Sequence, residues 1–79
     1  MSAALTSRQV VVITTAVVLG RRWAHVLADF EQELVREVGA RFVQHGRGAC
    51  VTDLEWPVIE AARAAMWEAS IACLQGAAA

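Results

Sequence analysis

The apolar residues in the first half of this chain recur at helical spacing. Val12, Ala16, Leu19, Trp23, Leu27, Phe30, Leu34 and Val38 follow one another at intervals of three or four, with Ile13, Val17, Val35 and Phe42 on the shoulder of the same stripe. Arg22, His25, Asp29, Gln32, Glu33 and Arg36 take the opposite side, as a solvated face requires. The spacing predicts one long helix over about residues 6–44. Its start is marked twice: Thr6 and Gln9 are spaced as a capping box, and Leu5 and Val10 as a hydrophobic staple.

Before Gly20 the pattern blurs, because Val11 and Val18 fall on what would be the polar side. Two readings follow. Either this part is a helix buried on two faces by another chain, or the β-branched stretch Gln9 to Leu19 is a strand that pairs with its symmetry mate. The helix is the preferred reading. Gly20, which costs about 1 kcal/mol relative to alanine in a helix interior, is the candidate position for a bend.

Residues 45–51 read as a turn, with Gly46 placed to take the left-handed conformation that ends a helix. A second capping box, Thr52 with Glu55, and a second staple, Val51 with Trp56, then open a helix over 52–75. Pro57 lies one turn inside and predicts an irregular start rather than a break. Residues 76–79 should fray. Folded back on a first helix of roughly 55 Å, a second of roughly 35 Å covers only its far half. That leaves Val10 to Leu19 bare in a monomer, so the expected architecture is an all-α helical hairpin that dimerises into an irregular four-helix bundle.

The second helix carries two apolar stripes. Leu54, Val58, Ala61, Ala62, Ala65, Met66, Ala69, Ala72 and Cys73 form a small-residue side suited to close helix packing. Trp56, Trp67, Ile71 and Leu74 form the other, with Glu60 and Arg63 among them. Tryptophan and arginine are the residues most enriched at binding hot spots, and Arg63 one turn before Trp67 allows guanidinium and indole to stack. The expected partner-binding set is therefore Trp56, Glu60, Arg63, Trp67, Ile71 and Leu74, and the alternative is that this stripe closes the homodimer. The expected dimer interface is Val11, Val12, Thr15, Val18, Leu19 and Trp23.

Composition sharpens the same picture. The chain has 79 residues, of which 57% are hydrophobic and 19% charged. Soluble domains average roughly 45–50% and roughly 25%. A single domain this short is marginal unless its core is shared. A formal net charge of −1 gives no bulk attraction to nucleic acid or anionic membrane. All seven basic residues are arginine, which we read as codon use in a GC-rich genome rather than guanidinium chemistry. Val10 to Leu19 is too short to span a bilayer before Arg21 and Arg22 interrupt it, and no signal-peptide cleavage site follows, so the expectation is a mature, soluble, cytoplasmic protein.

The candidate chemistry is thin. Metal binding needs converging ligands, whereas His25 and His45 are twenty positions apart and Cys50 and Cys73 bracket the second helix, roughly 30 Å apart. The cysteines are expected to be reduced, packed thiols. His45 and Cys50 flank the turn, but no third orienting group is evident and Asp53 and Glu55 disfavour a thiolate. Gly46-Arg47-Gly48 lacks the glycines, lysine and strand of a phosphate loop. Glu33 and Glu37 beside Arg36 and Arg41 read as solvated helix pairs. No catalytic residue, metal or cofactor is expected.

Arg8, Arg21 and Arg22 would double into a basic patch in a dimer, which keeps nucleic acid as a subordinate alternative. The favoured function is a non-enzymatic protein-binding module, of the phage or mobile-element inhibitor or anti-activator type, that occludes a larger bacterial protein. The alternatives are a small dimeric DNA-associated transcriptional regulator and a structural assembly subunit.

Overall fold

Thr6 opens the first helix as its side chain predicts: its hydroxyl accepts from the Gln9 N–H at 3.1 Å, and its own N–H donates to Gln9 Oε1 at 2.9 Å. In the computed structural model, which describes residues 4–78, the elements are α1 (Ser7–Trp23), a 3₁₀ turn (Ala24–Val26), α2 (Asp29–His45), a second 3₁₀ turn (Gly46–Gly48) and α3 (Trp56–Ala78). The regular elements among the described residues are all helices, with no strand. Val10 to Leu19 lies wholly within α1, which settles that segment as helix.

The long first helix is corrected: it is two helices. Gly20 lies inside α1, and the chain instead reverses over residues 24–28. No glycine or proline marks this reversal. Leu27, at the turn, is buried, and the new helix begins with Ala28 N–H donating to Glu31 Oε1 at 2.9 Å and Gln32 Nε2 to the Leu27 carbonyl at 3.0 Å. Asp29 and Glu31 in its first turn complement the exposed N–H groups there. The architecture is therefore three packed helices, where a two-helix hairpin was expected.

The reversal is favoured by what it buries. A Cβ built on Gly20 would approach Val35, and one on Gly39 would meet Val17, so α1 and α2 run antiparallel with Gly20 level with Val35 and Val17 level with Gly39. The glycines mark close helix approach rather than a hinge. α3 packs on both, and it starts beside the end of α2 and reaches the Ala24–Val26 turn. It thus runs antiparallel to α2 and parallel to α1.

Ile13 and Ala16 from α1, Val38 from α2, and Ile59, Ala62 and Met66 from α3 form the centre of one core, each no more than 1% exposed. Within Val10 to Leu19, expected to lie bare without a partner, Val12, Ile13 and Ala16 are covered by the chain itself, while Val11 and Val18 stay exposed. Leu5, also buried, is tied to the second turn by its N–H donating to the Arg47 carbonyl at 2.8 Å.

The start of α3 is held by three groups. Thr52 N–H donates to Glu55 Oε1 at 3.0 Å and Glu55 N–H to Thr52 Oγ1 at 3.2 Å, the second expected capping box. Regular helix begins only at Trp56 after a turn over 53–55, consistent with Pro57. Arg41 then reaches across from α2, donating to both Glu55 carboxylate oxygens at 3.0 and 3.2 Å, to Glu37 Oε1 at 2.6 Å and to the Cys50 carbonyl at 3.0 Å. Arg41 is therefore an inter-helix clamp, not merely half of a solvated i,i+4 pair. These hydrogen bonds, Arg41 first, hold the Glu55 carboxyl below its ordinary value, and the two carboxylates raise the Arg41 guanidinium in turn.

Candidate protein-binding face

The two stripes of α3 separate differently from the expectation. Its buried row is Ile59, Ala62 and Met66, with Val58 and Ala69 half-buried beside it. Leu54, by contrast, is 88% exposed in the turn before the helix, and Ala61, Ala65, Ala72 and Cys73 are exposed as well. Ile59, among the largest fully buried side chains, falls in neither expected stripe. Cys50 and Cys73 are both free and exposed, which corrects their expected packing.

The second stripe divides by height. Trp56 is half-buried against the core, and Arg63 is half-buried beside α1. Further along, Trp67, Ile71 and Leu74 are 49%, 37% and 71% exposed. A helix of 23 residues spans roughly 34 Å and one of 17 roughly 25 Å, but with Arg63 beside Val11 the turns of α3 that carry Trp67, Ile71 and Leu74 still run alongside α1, and these side chains stand on its outward side.

Among the expected dimer residues, Val12 is a correction: it is buried in the chain's own core and is closed to a partner. Leu19 and Trp23 are half-buried and pack on the same core. Val11 and Val18 point outward, 60% and 58% exposed, with half-buried Thr15 between them at helical spacing.

These two outward rows are neighbours. Val11, Val12, Ser7, Arg8 and Arg63 line one cleft of about 400 Å³ between α1 and α3. Because the helices are parallel, Trp67 follows Arg63 by one turn as Thr15 follows Val11, so the row Val11–Thr15–Val18 lies beside the row Arg63–Trp67–Ile71–Leu74. The structure thereby merges the expected partner stripe and part of the expected dimer interface into one apolar face. Isolated exposed apolar residues are ordinary, whereas an adjoining double row is the pattern of an interaction surface.

The cleft within this face is cationic. Arg63 Nε is buried and has no hydrogen-bond partner among the described residues, Arg8 is exposed alongside, and Arg47 donates to Ser7 Oγ at 3.1 Å. Glu60, one turn before Arg63, is exposed and joins none of the ion pairs found among the described residues, which are Arg41's.

The expected basic patch is not assembled within a chain. Arg8 and the pair Arg21 and Arg22 sit at opposite ends of α1, roughly 20 Å apart along its axis. The Arg22 guanidinium instead lies over the Trp23 ring at 5.6 Å. His25 is exposed with its ring 5.9 Å from that of Trp23, and His45 closes α2. Among the described residues no group of three His, Cys, Asp or Glu side chains is placed to hold a metal ion, and no helix is long and apolar enough to cross a membrane.

No protein-family model, curated protein or solved structure matches this chain.

Proposed function

We propose that this chain is a non-enzymatic protein-binding module, of the inhibitor or anti-activator type that occludes a larger protein, and that the face built from Val11, Val18, Trp67, Ile71 and Leu74 is its contact surface. The observation that carries the reading is the exposure of Trp67, Ile71 and Leu74 on the outward side of α3, beside the exposed Val11 and Val18 of α1. An aromatic anchor with two aliphatic neighbours and an arginine one turn away is the composition of a binding hot spot.

Charge on the same face favours a second copy as its occupant when no other protein covers it. No carboxylate lines the cleft of Arg8 and Arg63, and the crest of α3 carries Glu60, which joins no ion pair among the described residues, at the matching height. A two-fold axis parallel to the helices sets α1 of one copy against α3 of the other. It brings Glu60 of the second copy toward the Arg8–Arg63 cleft, and the reverse, in an isologous contact. Four helices, α1 and α3 from each copy, then form the seam of the expected bundle.

Sedimentation equilibrium over micromolar concentrations tests this. The wild-type chain should dimerise, Leu74→Glu should be monomeric with unchanged helical circular dichroism, and Glu60→Arg should weaken a dimer that Arg8→Glu restores in the double variant. A wild-type monomer throughout the range, or a charge swap without rescue, refutes the self-pairing. For the larger partner, a photocrosslinker at position 74 identifies the protein, and the complex is rebuilt from purified components. Trp67→Ala should then weaken it at least roughly tenfold, as hot-spot truncations do. Undiminished affinity refutes the face.

A further inference from the structure

On the side of α1 and α2 away from α3 lies a second concavity, a groove of about 350 Å³, within the size range of small-molecule sites. Gly20 and Gly39 line its floor, where α1 and α2 approach closely, and Val17, Leu27, Val35 and Val43 make its walls apolar. No acidic residue lines it.

Its charged residues are two arginines, one on each wall. With Gly20 level with Val35, Arg21 of α1 and Arg36 of α2 stand at nearly the same height on opposite walls. Both are exposed, and neither takes part in the ion pairs found among the described residues. Like charges facing across a groove repel unless an anion lies between them, and the planar guanidinium is the group that matches a carboxylate in bidentate fashion. Gln32, whose Nε2 already donates to the Leu27 carbonyl, adds a polar group to the same wall.

We infer that this groove binds a small amphipathic carboxylate of the medium-chain fatty-acid class, its head between Arg21 and Arg36 and its alkyl tail along Val17, Val35 and Val43. An apolar trough with a cationic clamp admits such a molecule and rejects both a cationic amphiphile and a bare anion. The site uses no residue of α3, so it stands or falls independently of the protein-binding face.

The test is an amide NMR titration of the full chain, with the Gly20 and Gly39 N–H signals as reporters from the groove. Sodium octanoate should shift both saturably. Acetate, octanol and octylammonium should bind at least roughly tenfold more weakly, and the Arg21→Ala/Arg36→Ala double variant should lose octanoate affinity to a similar degree. The two arginines are exposed, so this variant should keep the wild-type circular dichroism. Equal affinity for octylammonium, full affinity in the double variant, or shifts confined to Trp67, Ile71 and Leu74 would each overturn the assignment. The last outcome would mean that the alkyl chain merely adheres to the apolar face.

Discussion

Two glycine-to-alanine substitutions should move stability in opposite directions, and the difference measures whether α1 and α2 pack in the register described. Both positions are helix interiors, where the exchange is worth about 1 kcal/mol from backbone propensity alone. At Gly20 the nearest atom to an added Cβ is Val35 Cγ1 at 3.9 Å, ordinary van der Waals contact, so Gly20→Ala should stabilise by about 0.5–1 kcal/mol. At Gly39 the added Cβ would sit 2.8 Å from Val17 Cγ2, too close for any real pair of carbons. Val17 is β-branched on a helix and has essentially one favoured rotamer, so it cannot swing aside, and the two helices must part. Overpacking of this kind costs about 1–3 kcal/mol, which outweighs the propensity gain and leaves Gly39→Ala destabilised by about 1 kcal/mol.

Thermal and urea unfolding followed by circular dichroism reads the effect, since about 1 kcal/mol moves the midpoint by roughly 4–8 °C in a domain of this size. The control is Val17→Ala: in that background the clash is gone, and Gly39→Ala should become stabilising. If Gly39→Ala stabilises the wild-type chain as much as Gly20→Ala does, the two faces do not meet. The register of α1 against α2 described above is then wrong.

Two further substitutions probe the rest of the scaffold. Because the Arg41 contact depresses the Glu55 pKa in the folded state, its stabilisation is complete above the ordinary glutamate value of 4.5 and is lost as pH falls through the lower folded value. Glu55→Gln should therefore cost about 1–2 kcal/mol near neutral pH, and the gap to wild type should shrink in acid; a gap independent of pH would show that the carboxylate charge is irrelevant there. Met66→Ala, at a fully buried position, should cost about 2–5 kcal/mol in urea unfolding, and a cost below about 1 kcal/mol would place Met66 outside the core.

The helical class, both capping boxes and the end of the second helical segment at Gly46 were readable because each rests on contacts within four residues. Thr6 with Gln9, and Thr52 with Glu55, need nothing from the rest of the chain. The reversal at residues 24–28 was not readable from the periodicity, for a specific reason. Leu19, Trp23, Leu27, Phe30 and Leu34 keep three- and four-residue spacing straight through it, so the hydrophobic pattern crosses the turn without a change of phase. The local signs were weak: Asp29 and Glu31 suit a helix start, but Ala28 offers no side-chain oxygen to cap it. What decides for the reversal is the burial of Val35 and Val38 against Ile13 and Ala16, a long-range term. The Arg41–Glu55 clamp was missed likewise, because it needs α2 and α3 side by side.

One stripe of α3 has two fates. Periodicity gives the angle of a residue around its helix axis and says nothing of how far along that axis the core extends. Trp56 and Leu74 share an angle, yet Trp56 is half-buried while Leu74 is 71% exposed. The buried row of α3 ends at Met66, so Trp56 packs on the core at the start of the helix while Ile71 and Leu74 lie beyond its last core residue. Ending α1 at Trp23 turns the chain back to build that core from α2. The fold that buries Val12, Ile13 and Ala16 within the chain therefore also leaves Trp67, Ile71 and Leu74 on the surface of α3.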